Sequence, residues 1–143
     1  MGVEINFIAV LLAGISSMVV GSIWYAKPVF GKTWSKLANV DMDRKLTSVN
    51  TIYTMGGTLL VSLLTAFVLA HFSYLASQFY AQDYSFLVTS ITTAFWAWLG
   101  FTAARVFTHD AFEGRRKKLT LITVSHEFVT LIVMGIIIGL LGV

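Results

Sequence analysis

The sequence predicts an all-α membrane protein: an up-down bundle of four transmembrane helices with a short interfacial helix after the first. Three observations predict it. Four apolar stretches, about 5–26, 48–71, 84–107 and 119–141, can each cross a hydrocarbon core about 30 Å thick at about 1.5 Å per residue. Only 12% of residues are charged against 57% hydrophobic, whereas a soluble domain is about 25% charged. All ten Lys and Arg fall between Lys27 and Lys45 or between Arg105 and Lys118. At 143 residues the chain has room for one domain, residues 1–143.

The composition also excludes. There is no cysteine, which removes disulfides, thiolate nucleophiles, cysteine-ligated zinc and iron–sulfur clusters. The net charge of +3 is no nucleic-acid footprint, because the basic residues cluster in two connectors. Met1-Gly2-Val3-Glu4 lacks the basic start of a signal peptide, and Asn6 breaks the myristoylation pattern.

The first segment, Ile5 to Ala26, holds 22 residues without a charge. Ala9, Ala13, Ser17 and Gly21 recur every fourth residue, a small-residue stripe that lets another helix approach. Trp24-Tyr25 ends the segment as interfacial aromatics, and Lys27-Pro28 stops or bends it. In the first connector Phe30, Trp34 and Leu37 share one face, with Lys32 and Lys36 elsewhere, as in a helix lying in the membrane interface. Asp41 is placed to cap the second segment. That segment opens with Asn50, Thr51, Tyr53 and Thr54, passes Gly56-Gly57, and then becomes apolar. The second connector, Ser73 to Asp83, is aromatic and nearly uncharged. The third segment carries Trp96 and Trp98 on different sides, so at least one meets lipid or another subunit. The fourth aligns Glu127, Leu131, Gly135 and Gly139 on one stripe. Gly135-x-x-x-Gly139 is a close-packing motif, weak when alone.

The positive-inside rule puts both basic connectors in the cytoplasm and both termini outside, in a cell inner membrane. A faint likeness between 21–31 and 100–114 suggests parallel duplication of two hairpins.

Depth then gathers the polar residues. His126 and Glu127 lie about 12 Å in from Lys118. Asn50 and Tyr53 enter from the same side, and Arg105 ends the third segment. A charge at the bilayer centre costs about 2.5–3.5 kcal/mol on insertion scales. Glu127 can lower that cost by pairing with Arg105, by bonding to His126, Asn50 or Tyr53, or by taking a proton. The candidate cavity is therefore Asn50, Tyr53, Arg105, His126 and Glu127. No metal site is expected: Thr130 stands where the second histidine of a His-Glu-x-x-His motif would be, and His109, Asp110 and Glu113 read as an ordinary loop. Neither a nucleophile elbow nor a phosphate-cradling loop is present. No catalytic residue and no cofactor is nominated.

Trp24-Tyr25, Phe30-Gly31 with Trp34, Phe112-Glu113-Gly114-Arg115 and the histidine of the last segment together resemble the small bacterial membrane proteins of domain-of-unknown-function family 1761. The resemblance covers nearly the whole chain. It implies a four-helix inner-membrane protein with no established activity, and directs attention to those residues at the basic end. It also leads one to expect a Tyr-His pair where this chain has Ser125-His126-Glu127, so Glu127 departs from what the family implies.

Three functional classes stay open. The first is a small transporter or ligand-binding protein with a cytoplasmic-facing polar cavity. The second is an architectural or accessory subunit, and the third a membrane enzyme or cofactor carrier using His126 and Glu127. The lipid bilayer is the certain partner; a homodimer is expected, because one four-helix bundle leaves a narrow interior. The small molecule or ion is not named by the sequence.

Overall fold

The computed structural model describes residues 4–43, 47–80 and 82–142. Four helices are long and apolar enough to cross a membrane, and the described residues contain no strand. Helix α1 spans Phe7–Trp24, and a π-helical turn, Lys27–Gly31, leads into the short α2, Lys32–Ala38. Helix α3 spans Ser48–Tyr80. The third crossing is Phe86–Phe112, built from α4 (Phe86–Ala97), a π-helical stretch (Trp98–Ala103) and α5 (Ala104–Phe112). Helix α6, Lys117–Leu141, completes the bundle.

The helices close a ring. α1 packs on α3 and α6, and α4 packs on α3 and α6. Both tails lie at one end, where the Asn6 amide donates to the Leu141 carbonyl at 3.1 Å while its side-chain oxygen caps α1. Small residues set the spacing. A methyl at Gly135 would stand 2.9 Å from Ala94 Cβ, and one at Gly139 would stand 2.7 Å from Leu87 Cα. The glycine pair of α6 is therefore occupied by α4 within the same chain. Ala9, Ala13 and Ser17 of the α1 stripe are buried. Around them Val10, Ala66, Ala70, Leu131, Met134 and Ile138 form the core. Large apolar side chains such as Phe7, Leu60 and Phe101 point outward, as lipid contact requires.

Several expectations are corrected. α3 does not end near His71 but runs to Tyr80, 33 residues in all, about 50 Å long. The reason is plain in the chain: no Gly or Pro interrupts 58–80, and Ser77 bonds to the Tyr74 carbonyl instead of breaking the helix. Asp41 does not cap α3. Its carboxylate takes the Asp43 N–H in a local turn, and the Thr47 hydroxyl receives the Asn50 N–H at 3.3 Å. Gly56 and Gly57 lie inside the continuous helix α3 and admit no neighbour, since nothing lies within 4 Å of a Cβ built on either.

Two sequence motifs are helix punctuation. Asp110 to Arg115 ends α5 with a left-handed Gly114, whose φ is 66°. Arg115 N–H reaches the Asp110 carbonyl at 2.9 Å and Gly114 N–H reaches Ala111, the paired bonds of a Schellman stop. The Gly31 turn is the second, and it belongs to the site.

Candidate functional site

The π-helical turn begins one residue after Tyr25-Ala26 and holds Pro28 in its first turn, where a missing N–H does no harm. Gly31 donates its N–H to the Ala26 carbonyl at 3.0 Å. A Cβ on Gly31 would collide with the Tyr25 carbonyl oxygen and lie 2.8 Å from that of Ala26. Only glycine closes this turn. Closing it folds Phe30 back onto Trp24, with ring centroids 4.6 Å apart, and brings Trp34 edge-on to Tyr25 at 5.2 Å.

The imidazole of His126 sits against this aromatic layer, 5.0 Å from the Tyr25 ring and 6.1 Å from Trp24. Its Nδ1 is 3.2 Å from Glu127 Oε1, and its Nε2 is 3.5 Å from the Thr130 hydroxyl. One tautomer satisfies both contacts: Nδ1–H donates to the carboxylate and Nε2 accepts from Thr130. A methyl at Gly21 would rest 3.5 Å from Nε2, an ordinary contact. Tyr25 lies just past the first span. Burial pushes its phenol above the ordinary value and the Glu127 charge adds to this; a Thr123 hydrogen bond and Arg115 oppose.

On the other side of the His126–Glu127 pair lies a cleft of about 1070 Å³. Its walls come from the second half of α1 with Tyr25, residues 53–65 of α3, Thr102 and residues 126–134 of α6. It exists because α3 joins the core only from Ala66 onward, while 48–58 are exposed throughout. Tyr53, His126 and Glu127 line it. Asn50 and Arg105 do not; both are exposed. Among the described residues Arg105 makes no ion pair, so Glu127 is bonded to its own neighbour rather than to the third crossing. Arg105 stands on the outer face of α5, where a long basic side chain reaches headgroups unaided.

A smaller groove of about 590 Å³ runs along the outside of α3 and the third crossing, lined by Phe72, Tyr80, Tyr84 and Trp96 among others. Its lining holds no acid, base or histidine and shares no residue with the cleft beside His126.

The model of a family described as "Protein of unknown function (DUF1761)" matches residues 8–139. The chain belongs to the DUF1761 family. No curated protein and no solved structure matches it. Within this DUF1761 chain, Trp24, Tyr25, Phe30, Gly31, Trp34 and His126 form one packed cluster. Glu113, Gly114 and Arg115 belong to the α5–α6 stop, and Phe112 is 90% exposed beside them.

Three contributors were not foreseen. Buried Asp110 accepts from Thr120 Oγ1 at 2.6 Å and from Arg115 at 3.2 Å, bracing the α5–α6 turn. The signal was an acid four residues before a helix-ending glycine. Trp98 donates its indole N–H to the Val124 carbonyl at 3.0 Å, two residues before His126; spacing alone could not reveal it. Met18, Met55 and Met134 line the cleft, and each looked like an ordinary apolar residue. Among the described residues no group of three potential metal ligands gathers.

Proposed function

We propose that this DUF1761 chain is a ligand-binding membrane protein of transporter type. In this reading its basic connectors are cytoplasmic, its tails lie outside, and the cleft takes a small molecule from the cytoplasmic side. The observation that carries the proposal is the cleft itself, with a carboxylate and an imidazole on one wall. Its volume reaches the upper end of the about 300–1,000 Å³ typical of small-molecule sites. An ionisable pair kept within a membrane bundle and beside a cavity marks a functional site more readily than a packing device. All ten Lys and Arg fall in 27–45 or 105–118 of the sequence, which supports the orientation. A second copy seated on the exposed start of α3 would wall the cleft from lipid, which favours a dimer as the working unit.

The chain contains no cysteine, so the wild type is its own background for accessibility mapping. Ser62→Cys and Thr58→Cys line the cleft, Leu60→Cys faces outward, and Lys117→Cys reports the connector. A membrane-impermeant thiol reagent is expected to label the two cleft positions and Lys117→Cys in inside-out vesicles only, and to spare Leu60→Cys. Cleft positions that resist the reagent from both sides would leave the polar cluster purely architectural.

A further inference from the structure

We propose that the ligand of this cleft is an organic cation with a sizeable apolar body; the inference rests on the ligand-binding reading above and names its substrate class. The cleft lining is one-sided in charge. Glu127 is its acid, and among the described residues no Lys or Arg lines it. His126 bonds one carboxylate oxygen. The other makes no hydrogen bond among the described residues, and the side chain is 38% exposed where it borders the cleft.

Four of the lining hydroxyls point the same way. Ser17, Ser22, Thr58 and Thr65 each donate to a carbonyl of their own helix, at 2.8, 2.7, 2.7 and 3.0 Å. With their protons committed, they offer the cleft only lone pairs. An anion or a strong acceptor finds no matching donor in those four groups. A positive charge finds a carboxylate and the lone pairs of four hydroxyl oxygens.

The apolar part of the lining fits the rest of such a molecule. Met18, Met55 and Met134 are three of the five methionines in the chain. Thioether side chains are flexible and polarisable, the property that lets a surface accept varied apolar shapes. Tyr25 and Tyr53 belong to the same lining, and aromatic rings attract organic cations.

The test uses the full chain in detergent and a pair of probes that differ in the sign of their charge, tetraphenylphosphonium and tetraphenylborate. Calorimetric titration is expected to show saturable tetraphenylphosphonium binding and none for tetraphenylborate. Glu127→Gln should weaken the cation by about tenfold or more, the size of one lost charge-assisted contact, and Glu127→Asp should retain it. Tetraphenylphosphonium should also slow labelling of Ser62→Cys. Equal binding of the two ions, or full cation affinity in Glu127→Gln, overturns the cation assignment. So does failure of tetraphenylphosphonium to bind or protect while Ser62→Cys is readily labelled, and the cleft reading then survives alone. An unreactive Ser62→Cys removes both. The probe pair needs no variant, so the charge preference stays testable if Glu127→Gln fails to fold.

Discussion

Replacing Gly31 with alanine is the sharpest single perturbation of the site. The added methyl would meet two backbone carbonyl oxygens, Tyr25 and Ala26, the second at 2.8 Å, and the Ala26 carbonyl carbon at 2.9 Å. These are backbone atoms, so no side-chain rotation relieves the contact. The Ala26 oxygen is also fixed from the other side, because it accepts from Val29 and from Gly31, each at 3.0 Å. Forcing an extra methyl into a filled site costs about 1–3 kcal/mol. Moving the carbonyl away forfeits the Gly31 bond, about 1 kcal/mol more. The sum, about 2–4 kcal/mol, corresponds to a melting temperature lowered by on the order of 5–15 °C for a chain of this size. Thermal unfolding in detergent followed by near-ultraviolet circular dichroism measures it and reports the Trp24 and Tyr25 environments at once. Gly57→Ala is the control: a helix-interior glycine with nothing within 4 Å of its built Cβ, where alanine should stabilise by about 0.5–1 kcal/mol. Opposite signs for the two glycines are expected. Gly31→Ala melting with the wild type would refute the claim that the π-helical turn requires glycine.

Thr120→Val deletes the hydroxyl that donates to buried Asp110 at 2.6 Å; the expected loss is about 1.5–3 kcal/mol, as for a hydrogen bond to a charged group, read by thermal melting. Trp98→Phe keeps a ring against Phe128 but removes the N–H bonded to Val124, and should cost about 1 kcal/mol in the same assay. Tyr25 gives a pH prediction. Its phenol is held above the ordinary value of 10.0, first by burial and then by Glu127. A raised folded-state value means the neutral phenol favours the fold. That contribution is fully present below pH 10.0 and is lost as pH rises through the higher folded value. Ultraviolet phenolate titration of the wild type minus Tyr25→Phe should therefore show one tyrosine ionising above 10.0; ionisation below it would contradict the burial of the ring.

The crossings were legible because lipid permits few alternatives: with no water to satisfy backbone groups, uncharged runs of this length must be helices. The small-residue stripe of α1 and the glycines of α6 were legible for the same reason, since only small side chains let helices touch. Legibility failed where a residue's role depends on rotation about a helix axis or on a partner far along the chain. Arg105 and Glu127 have opposite charges and comparable depth, yet Arg105 stands on an exposed face and Glu127 turns to His126. The π-helical stretch at Trp98–Ala103 lies just before Arg105. It changes the rotation per residue there, so a straight α-helical wheel misplaces everything after it. The Ser73–Tyr80 segment departs from expectation for a different reason: its aromatics suit a membrane interface, but no breaker separates them from the helix.

The position of the cleft follows from where the small residues are. Toward the tails, Ala13, Ala66, Ala70, Ala94, Gly135 and Gly139 bring the four helices into close contact at the core. Toward the basic end, α3 presents Tyr53, Thr54 and Met55 and separates from its neighbours. A gap there would be empty apolar volume if its walls were leucine. Its walls instead carry hydroxyls, methionines and an acid–imidazole pair, groups suited to water or a polar ligand. Two glycine-dependent turns at this end, Gly31 after α1 and Gly114 before α6, anchor the helices that carry Tyr25 and His126. Glycine-closed turns beside a loosely packed helix make a site whose aromatic wall is closely packed and whose α3 wall has few neighbours. If the cleft binds a ligand, ordering should therefore fall on residues 48–58 and spare Trp24, Tyr25 and His126, a contrast that hydrogen exchange with and without tetraphenylphosphonium resolves segment by segment.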